Sequence, residues 1–362
     1  MIAIDSHLDL AWNALNWNRD LTLSVAEIRR REAGSKDPRR GSNTVSLPEL
    51  RKAEVAISLA TLLARASGLG ESRLDYPSRE IACAMACGQL AYYRILEHQG
   101  YLRMLRDGPA VTAHLAEWKQ SGDSCPLGYI LSMEGADPIL APRDVGDWWD
   151  DGLRVVGISH YGPSAYAHGT GAKGGLTASG VEMLRAMEEA GMILDVTHLS
   201  DESFWQAVER FRGRVLASHN NFRSLVPGYR QFSDEQIRCL LERDAVIGVA
   251  FDSWMLHPGY VPPEVATATS PRTPNSVVTL EAVIRQIDYI CQLAGNAHHA
   301  AIGSDLDGGF GREQSPADLD TIADLQKIPP LLRARGYAES DIEAIMHGNW
   351  LRFFQQALAP KS

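Results

Sequence analysis

The sequence predicts one (β/α)8 barrel, a single domain over residues 1–362, from three observations. Eight short apolar runs rich in β-branched residues recur along the chain, and most are continuously apolar, as parallel strands buried on both faces are. Helical patterns lie between most of them. Histidines and carboxylates stand at the C-terminal ends of six of the eight runs, the end of such a barrel that carries chemistry. An open doubly wound sheet is the alternative. No Gly-rich phosphate loop follows the first run, which counts against it.

The runs cover residues 2–5, 55–59, 127–133, 154–159, 192–197, 214–218, 245–251 and 300–304. Residues 81–96 read as a helix. Val181, Leu184 and Met187 mark another behind Thr177. Ser200 is an N-cap for a helix carrying Phe204, Val208 and Phe211. Ser233 and Gln236 form a capping box ahead of Ile237, Leu240 and Leu241. Leu280, Val283, Ile284 and Ile287 line a further helix. Ser340 with Glu343 opens a last one, through Ile345 and Trp350 toward Phe354. Two connections are long, 10–54 and 60–126. With the Pro-rich stretch 258–274 they are natural lids over a barrel mouth.

Thirty-five Lys and Arg against 45 Asp and Glu leave a formal net charge of −10, which disfavours nucleic acid. The densest basic spots, Arg29-Arg30-Arg31 and Arg39-Arg40, are short. Glu32 and Asp37 interrupt them, and the segment reads as a solvated polar loop. No apolar run approaches the ~18 residues of a membrane span. The chain opens on strand-like residues rather than on a signal-peptide pattern, so the expected setting is cytoplasmic, with no membrane partner. The five cysteines, Cys83, Cys87, Cys125, Cys239 and Cys291, are odd in number and include no CxxC pair. Cys83 and Cys87 sit four apart in a helical pattern and read as packed thiols in a reducing compartment.

The run ends supply His7 and Asp9, Glu134, His160, His198, His219 and Asp305. Alternate residues of an extended chain point to one side, so His7 and Asp9 reach one point together. Imidazoles and carboxylates gathered at one mouth suit a divalent metal such as zinc. One zinc needs only about four donors, a water included. Five ligand candidates and a further Asp therefore suggest two metals that share a carboxylate. Glu134, with two oxygens, is the natural bridge. His7 and Asp9 would hold one ion, and His198 and His219 the other. Asp307 reads as a cap of the loop that follows it, and Asp195 as a group that orients a neighbour. His168 lies in a Gly-rich loop, as filler or as a substrate contact. His298 and His299 precede the last run and read as structural. Trp12 and Trp254 follow run ends and are placed to wall a pocket.

The motifs HLD at 7–9, MEG at 133–135, SH at 159–160, DVTHLSDESFW at 195–205, ASHNN at 217–221, GSDLDG at 303–308 and GNWLRF at 348–353 occur in order along nearly the whole chain. As a set this resembles the membrane dipeptidase (renal dipeptidase) family of the amidohydrolase superfamily. The resemblance implies a binuclear zinc dipeptidase, a homodimer, acting on dipeptides that include those with a D-residue on the C-terminal side. It implies His7, Asp9, Glu134, His198 and His219 as ligands of two Zn²⁺ and Asp305 as the proton-transfer residue. It implies His160 as a catalytic and substrate-binding contact, and Arg230 as partner of the substrate's terminal carboxylate. A metal-bridging hydroxide would attack the peptide carbonyl. The chain departs from the family after His160, where an Asn usual within a few residues is absent, and at Gln231, where Asn is common. The alternative is a hydrolase of the same superfamily acting on another small amide, lactone or ester.

Overall fold

The computed structural model describes residues 1–359 except 36, 38, 39, 69–72, 263–265 and 268. Arg39 and part of the 258–274 stretch thus lie outside the described residues. Among those described the strands are β1 (Ala3–Leu8), β2 (Val55–Leu63), β3 (Leu102–Met104), β4 (Leu127–Glu134), β5 (Leu153–Gly157), β6 (Ile193–Asp195), β7 (Val215–Leu216), β8 (Ile247–Val249) and β9 (Ala300–Ile302). Every strand pair whose register is resolved is parallel. Helices fill most of the connections, which gives the strand–helix alternation of a (β/α)8 barrel. The chain forms two compact units, Met1–Ser58 with His219–Arg352, and Leu59–Ser218 with Phe353–Ser362.

In the first unit β1 pairs with β9 through Asp5↔Ile302, and β9 pairs with β8 through Ala300↔Ile247. Asp5 is fully buried and accepts from the backbone N–H of His7 and from both N–H and Oγ–H of Ser304. Burial raises its carboxyl pKa, against the lowering effect of those donors. The staple ties the end of β1 to the turn after β9. Helix Leu280–Ala294 packs Val283, Ile284, Ile287 and Ile290 inward and stops at Gly295, whose φ of 69° is the left-handed conformation glycine adopts without penalty. Trp350 is fully buried and donates its indole N–H to the Ile302 carbonyl.

Asp307 is the second staple of this unit. It does not cap the loop that follows it. Its carboxylate accepts from Asn43 Nδ2, from the N–H and Oγ–H of Thr44, and from the N–H of Val45. The loop at 43–45 is thereby fixed to the turn after β9. Replacing Asp307 by Ala would strand several buried donors, and is expected to lower stability by about 3 kcal/mol. An unchanged urea midpoint in the variant would refute this.

In the second unit the order is β3–β4–β5–β6–β7, with registers Leu102↔Leu127, Met133↔Val156, Val156↔Leu194 and Leu194↔Val215. Helix Arg79–His98 begins at Ser78, whose hydroxyl accepts from the Ile81 N–H. It buries Gln89, whose amide both accepts from and donates to the Leu63 backbone. That pair of hydrogen bonds stands in for a strand neighbour at Leu63. Tyr93 stacks on Tyr129 and donates to the Thr61 carbonyl.

The caps at Ser200 and Ser233 form as expected, the second as a full capping box with Gln236, and Thr177 caps helix Ala178–Ala190. Three expectations are corrected. Arg29, Arg30 and Arg31 lie in helix Val25–Glu32 rather than in a loop. There Glu27 pairs with Arg30 and Arg31, and Arg29 reaches Asp320. The helix expected from Ser340 starts at Glu339 with Ala338 at the N-cap, and a π turn at Ala344–Gly348 leads into Asn349–Ala357. The long connection 60–126 contains the extra strand β3, whose three residues are too few to show a period.

Candidate metal centre

Each unit carries a cluster of metal-binding side chains at strand ends. In the first, His7 lies inside β1, two residues further along than the apolar run suggests. Asp9 follows as the N-cap of helix Leu10–Trp17. His7 Nε2 stands 3.8 Å from Asp9 Oδ2 and 3.8 Å from Asp305 Oδ1. The ligand atoms of these three residues all lie within 4.8 Å of one another. His219, just past β7, lies against His7 with ring centroids 3.8 Å apart and the planes tilted by 39°.

In the second unit Glu134 is the last residue of β4, and His160 and His198 follow β5 and β6. His198 Nε2 is 3.0 Å from Glu134 Oε1, and His160 Nε2 is 3.7 Å from the same oxygen. Their ligand atoms also lie within 4.8 Å of one another. A tetrahedral zinc with nitrogen and oxygen ligands at roughly 2.1 Å sets its donors about 3.4 Å apart. The separations of 3.0–3.8 Å in the two clusters lie on either side of that spacing, and the donor chemistry is right, so the residues fit the metal.

Backbone strain is concentrated at two of these positions. His198 has φ 67° and Asp305 has φ 57°, in the left-handed region that costs a side chain energy. His198 sits inside a turn closed by the Leu199 N–H on the Val196 carbonyl. Asp305 opens a turn closed by the Gly308 N–H. A Cβ on Gly308 would lie 1.8 Å from Asp305 Oδ1, so only glycine leaves room for that carboxylate.

The surroundings supply partners for several residues that the sequence left open. Asp195 accepts from the N–H groups of Thr197 and Ser218 and so orients the strand ends beside it. The loop after His160 folds back on itself, with Thr170 N–H on the His160 carbonyl and Gly162 N–H on the Thr170 carbonyl. A Cβ on Gly169 would come 1.8 Å from the His160 carbonyl oxygen, so the loop approaches His160 through bare backbone. His168 anchors the outside of that loop through Nδ1 and the Gly175 carbonyl. His299 Nδ1 bonds the Ala245 carbonyl, a structural role. Trp12 is buried edge-on to Trp17, a core contact rather than a pocket wall, and Trp254 is half-buried in Ser253–Leu256. Arg230 is 4% exposed and donates to Asn220 Oδ1 and the His219 carbonyl.

Sequence reasoning missed Arg65 and Thr170. Arg65 Nη1 lies 2.9 Å from His160 Nδ1, and Thr170 Oγ1 lies 2.9 Å from His198 Nδ1. Arg65 follows β2 by two residues, so it is itself a strand-end position. Reading that strand as ending at 59 hid it. Burial lowers the Arg65 pKa from the usual arginine value, with Asp75 the first of the groups that oppose the shift. Among the described residues no helix is long and apolar enough to cross a membrane.

The sequence model of the membrane dipeptidase family, peptidase family M19, matches residues 1–361. A curated relative from Klebsiella pneumoniae, an uncharacterized protein in the pqqA 5' region, is 28% identical over 62% of this chain and 80% of its own length. The chain spans about half the length of two further curated relatives. A solved structure of the dipeptidase AC, a metallopeptidase of family M19, superposes with TM-score 0.78 at 20% identity, covering 99% of each chain. A metallopeptidase from Rhodobacter sphaeroides, liganded with a phosphinate mimic of the dipeptide L-Ala-D-Ala, superposes with TM-score 0.76 at 19% identity, again over 99% of each. These structures share the (β/α)8 barrel fold of this chain. With its family model matched over nearly the full length, the chain belongs to the membrane dipeptidase family, peptidase family M19.

Proposed function

We propose that this protein is a zinc-dependent dipeptidase. Family membership and two clusters with zinc-like donor spacing support the reading. The proposed centre would hold two Zn²⁺, His7 and Asp9 serving one, His198 and His219 the other, and Glu134 both. Bound zinc supplies Lewis acidity, which makes water a nucleophile near neutral pH and polarises a carbonyl.

The chain's own residues do the rest. Asp305, held close to His7 in a strained turn, takes the proton of the attacking water and delivers it to the departing amine. His160 donates from Nε2 to the carbonyl oxygen as charge develops there. Arg230 is buried, and its donors meet neutral oxygens instead of a carboxylate among the described residues. A buried cation without an acidic partner is costly, and a substrate carboxylate would offset that cost. This favours substrates that end one residue after the scissile bond. The R. sphaeroides structure carries a mimic of a dipeptide ending in D-Ala, which motivates including D-residues at that end.

The test is a library of L-X-L-Y and L-X-D-Y dipeptides with the zinc-loaded enzyme, alongside their C-terminal amides. Turnover of free dipeptides that falls by about 10²-fold or more on amidation is expected, because one charge-assisted bidentate contact is lost. Turnover of amides, lactones or esters without dipeptides would move the substrate class elsewhere.

A further inference from the structure

We infer that Arg65 is a positioning residue that fixes which ring nitrogen of His160 carries hydrogen, and so keeps His160 a donor instead of a metal ligand. The inference rests on the proposed role of His160 toward the substrate and deepens it.

Two histidines turn Nε2 toward the same Glu134 oxygen, His198 at 3.0 Å and His160 at 3.7 Å. Donor spacing alone does not tell ligand from non-ligand. Their Nδ1 partners do. Thr170 Oγ1 lies 2.9 Å from His198 Nδ1 and 3.3 Å from the His198 carbonyl; that carbonyl can only accept, and with the hydroxyl hydrogen on it Oγ1 accepts from the ring. His198 therefore keeps hydrogen on Nδ1 and a lone pair on Nε2, the arrangement of a ligating histidine anchored through its outer nitrogen. Arg65 reverses the polarity. A guanidinium has donors and no acceptor, so at 2.9 Å His160 Nδ1 must accept. The one hydrogen of the neutral ring is then on Nε2. Such a ring binds a metal through Nε2 only by losing that last hydrogen, whereas donation to an oxygen costs it nothing.

Arg65 is built to hold this polarity. It is 8% exposed, so water does not compete strongly for the bond. Its backbone is tied on both sides, N–H to the Leu74 carbonyl and carbonyl to the Tyr76 N–H. Its Nε lies 3.8 Å from Asp75 Oδ1. Asp137 accepts from the next residue, Ala66, and from Ala165 in the loop that follows His160, joining the two segments.

The test uses the full-length, zinc-loaded enzyme with ¹⁵N at both histidine ring nitrogens, His160 being assigned from a His160→Gln spectrum. The wild type is expected to show His160 with a lone-pair-type Nδ1 and a hydrogen-bearing Nε2, and His198 with the reverse. Arg65→Met is expected to let His160 sample both tautomers and to lower kcat about 10–100-fold. KM is expected to stay within about threefold, and zinc content to stay at the wild-type level. Arg65→Lys, which restores a pure donor, is expected to recover kcat to within about tenfold of wild type. A wild-type spectrum with hydrogen on His160 Nδ1 overturns the inference whatever the activity, and needs no variant to fold. Wild-type kcat in Arg65→Met overturns it too. Absence of any dipeptide turnover by the wild type would instead overturn the functional reading, since the spectrum reports the tautomer independently.

Discussion

Replacing Glu134 by Gln is expected to cost at least about 10²-fold in kcat/KM, beyond the 10–100-fold typical of losing an outer-shell partner of a metal. The variant should also bind less zinc. Glu134 ends β4, is 8% exposed, and has one oxygen facing two histidine nitrogens at 3.0 and 3.7 Å. As the proposed shared ligand it supplies negative charge to two cations at once. The amide of Gln is the same size but neutral, with one acceptor in place of two. The charge and the bridge are therefore lost without a cavity being opened. The check is a metal count by mass spectrometry beside dipeptide turnover. A variant with a full zinc complement and ordinary turnover would show that Glu134 does not bridge.

The Asp305→Asn variant separates chemistry from metal binding. Its kcat is expected to fall about 10²–10⁴-fold, the range for removal of a general acid–base group, with zinc content close to wild type. Asn is the right replacement here because the backbone at 305 has φ 57°, which Asn tolerates nearly as well as Asp. The turn closed by Gly308 should survive, and the loss can be assigned to proton transfer. If zinc is lost together with activity, Asp305 is a ligand. If kcat is unchanged, the proton travels by another group.

Much of this was legible in the sequence because every strand but β3 is buried on both faces and so reads as a plain apolar run. β1, β4 and β5 are buried along their whole length, and the site residues stand at or just after their ends. Strand ends were less visible. β6, β7, β8 and β9 have only two or three residues each, shorter than the apolar runs that contain them. The flanking apolar residues are buried as well, so hydrophobicity does not mark where strand pairing stops. β2 runs on to Leu63, because Gln89, far along in sequence, supplies its last backbone partners. That error concealed Arg65. Thr170 was invisible for another reason. It reaches His198 only because the 160–171 loop doubles back, and a threonine among glycines carries no periodic signal. Asp307 was assigned to the wrong loop, since its partners at 43–45 are more than 260 residues away.

The left-handed backbone at His198 and Asp305 has a practical consequence for engineering. Glycine would relieve roughly 1–2 kcal/mol of that conformation at either position. A variant library ranked by heat resistance alone would thus be drawn toward the two residues on which turnover is proposed to depend, and its winners would be robust and inert. Thermostabilisation of this protein calls for a screen that counts product at every round, or for both positions to be held constant from the start.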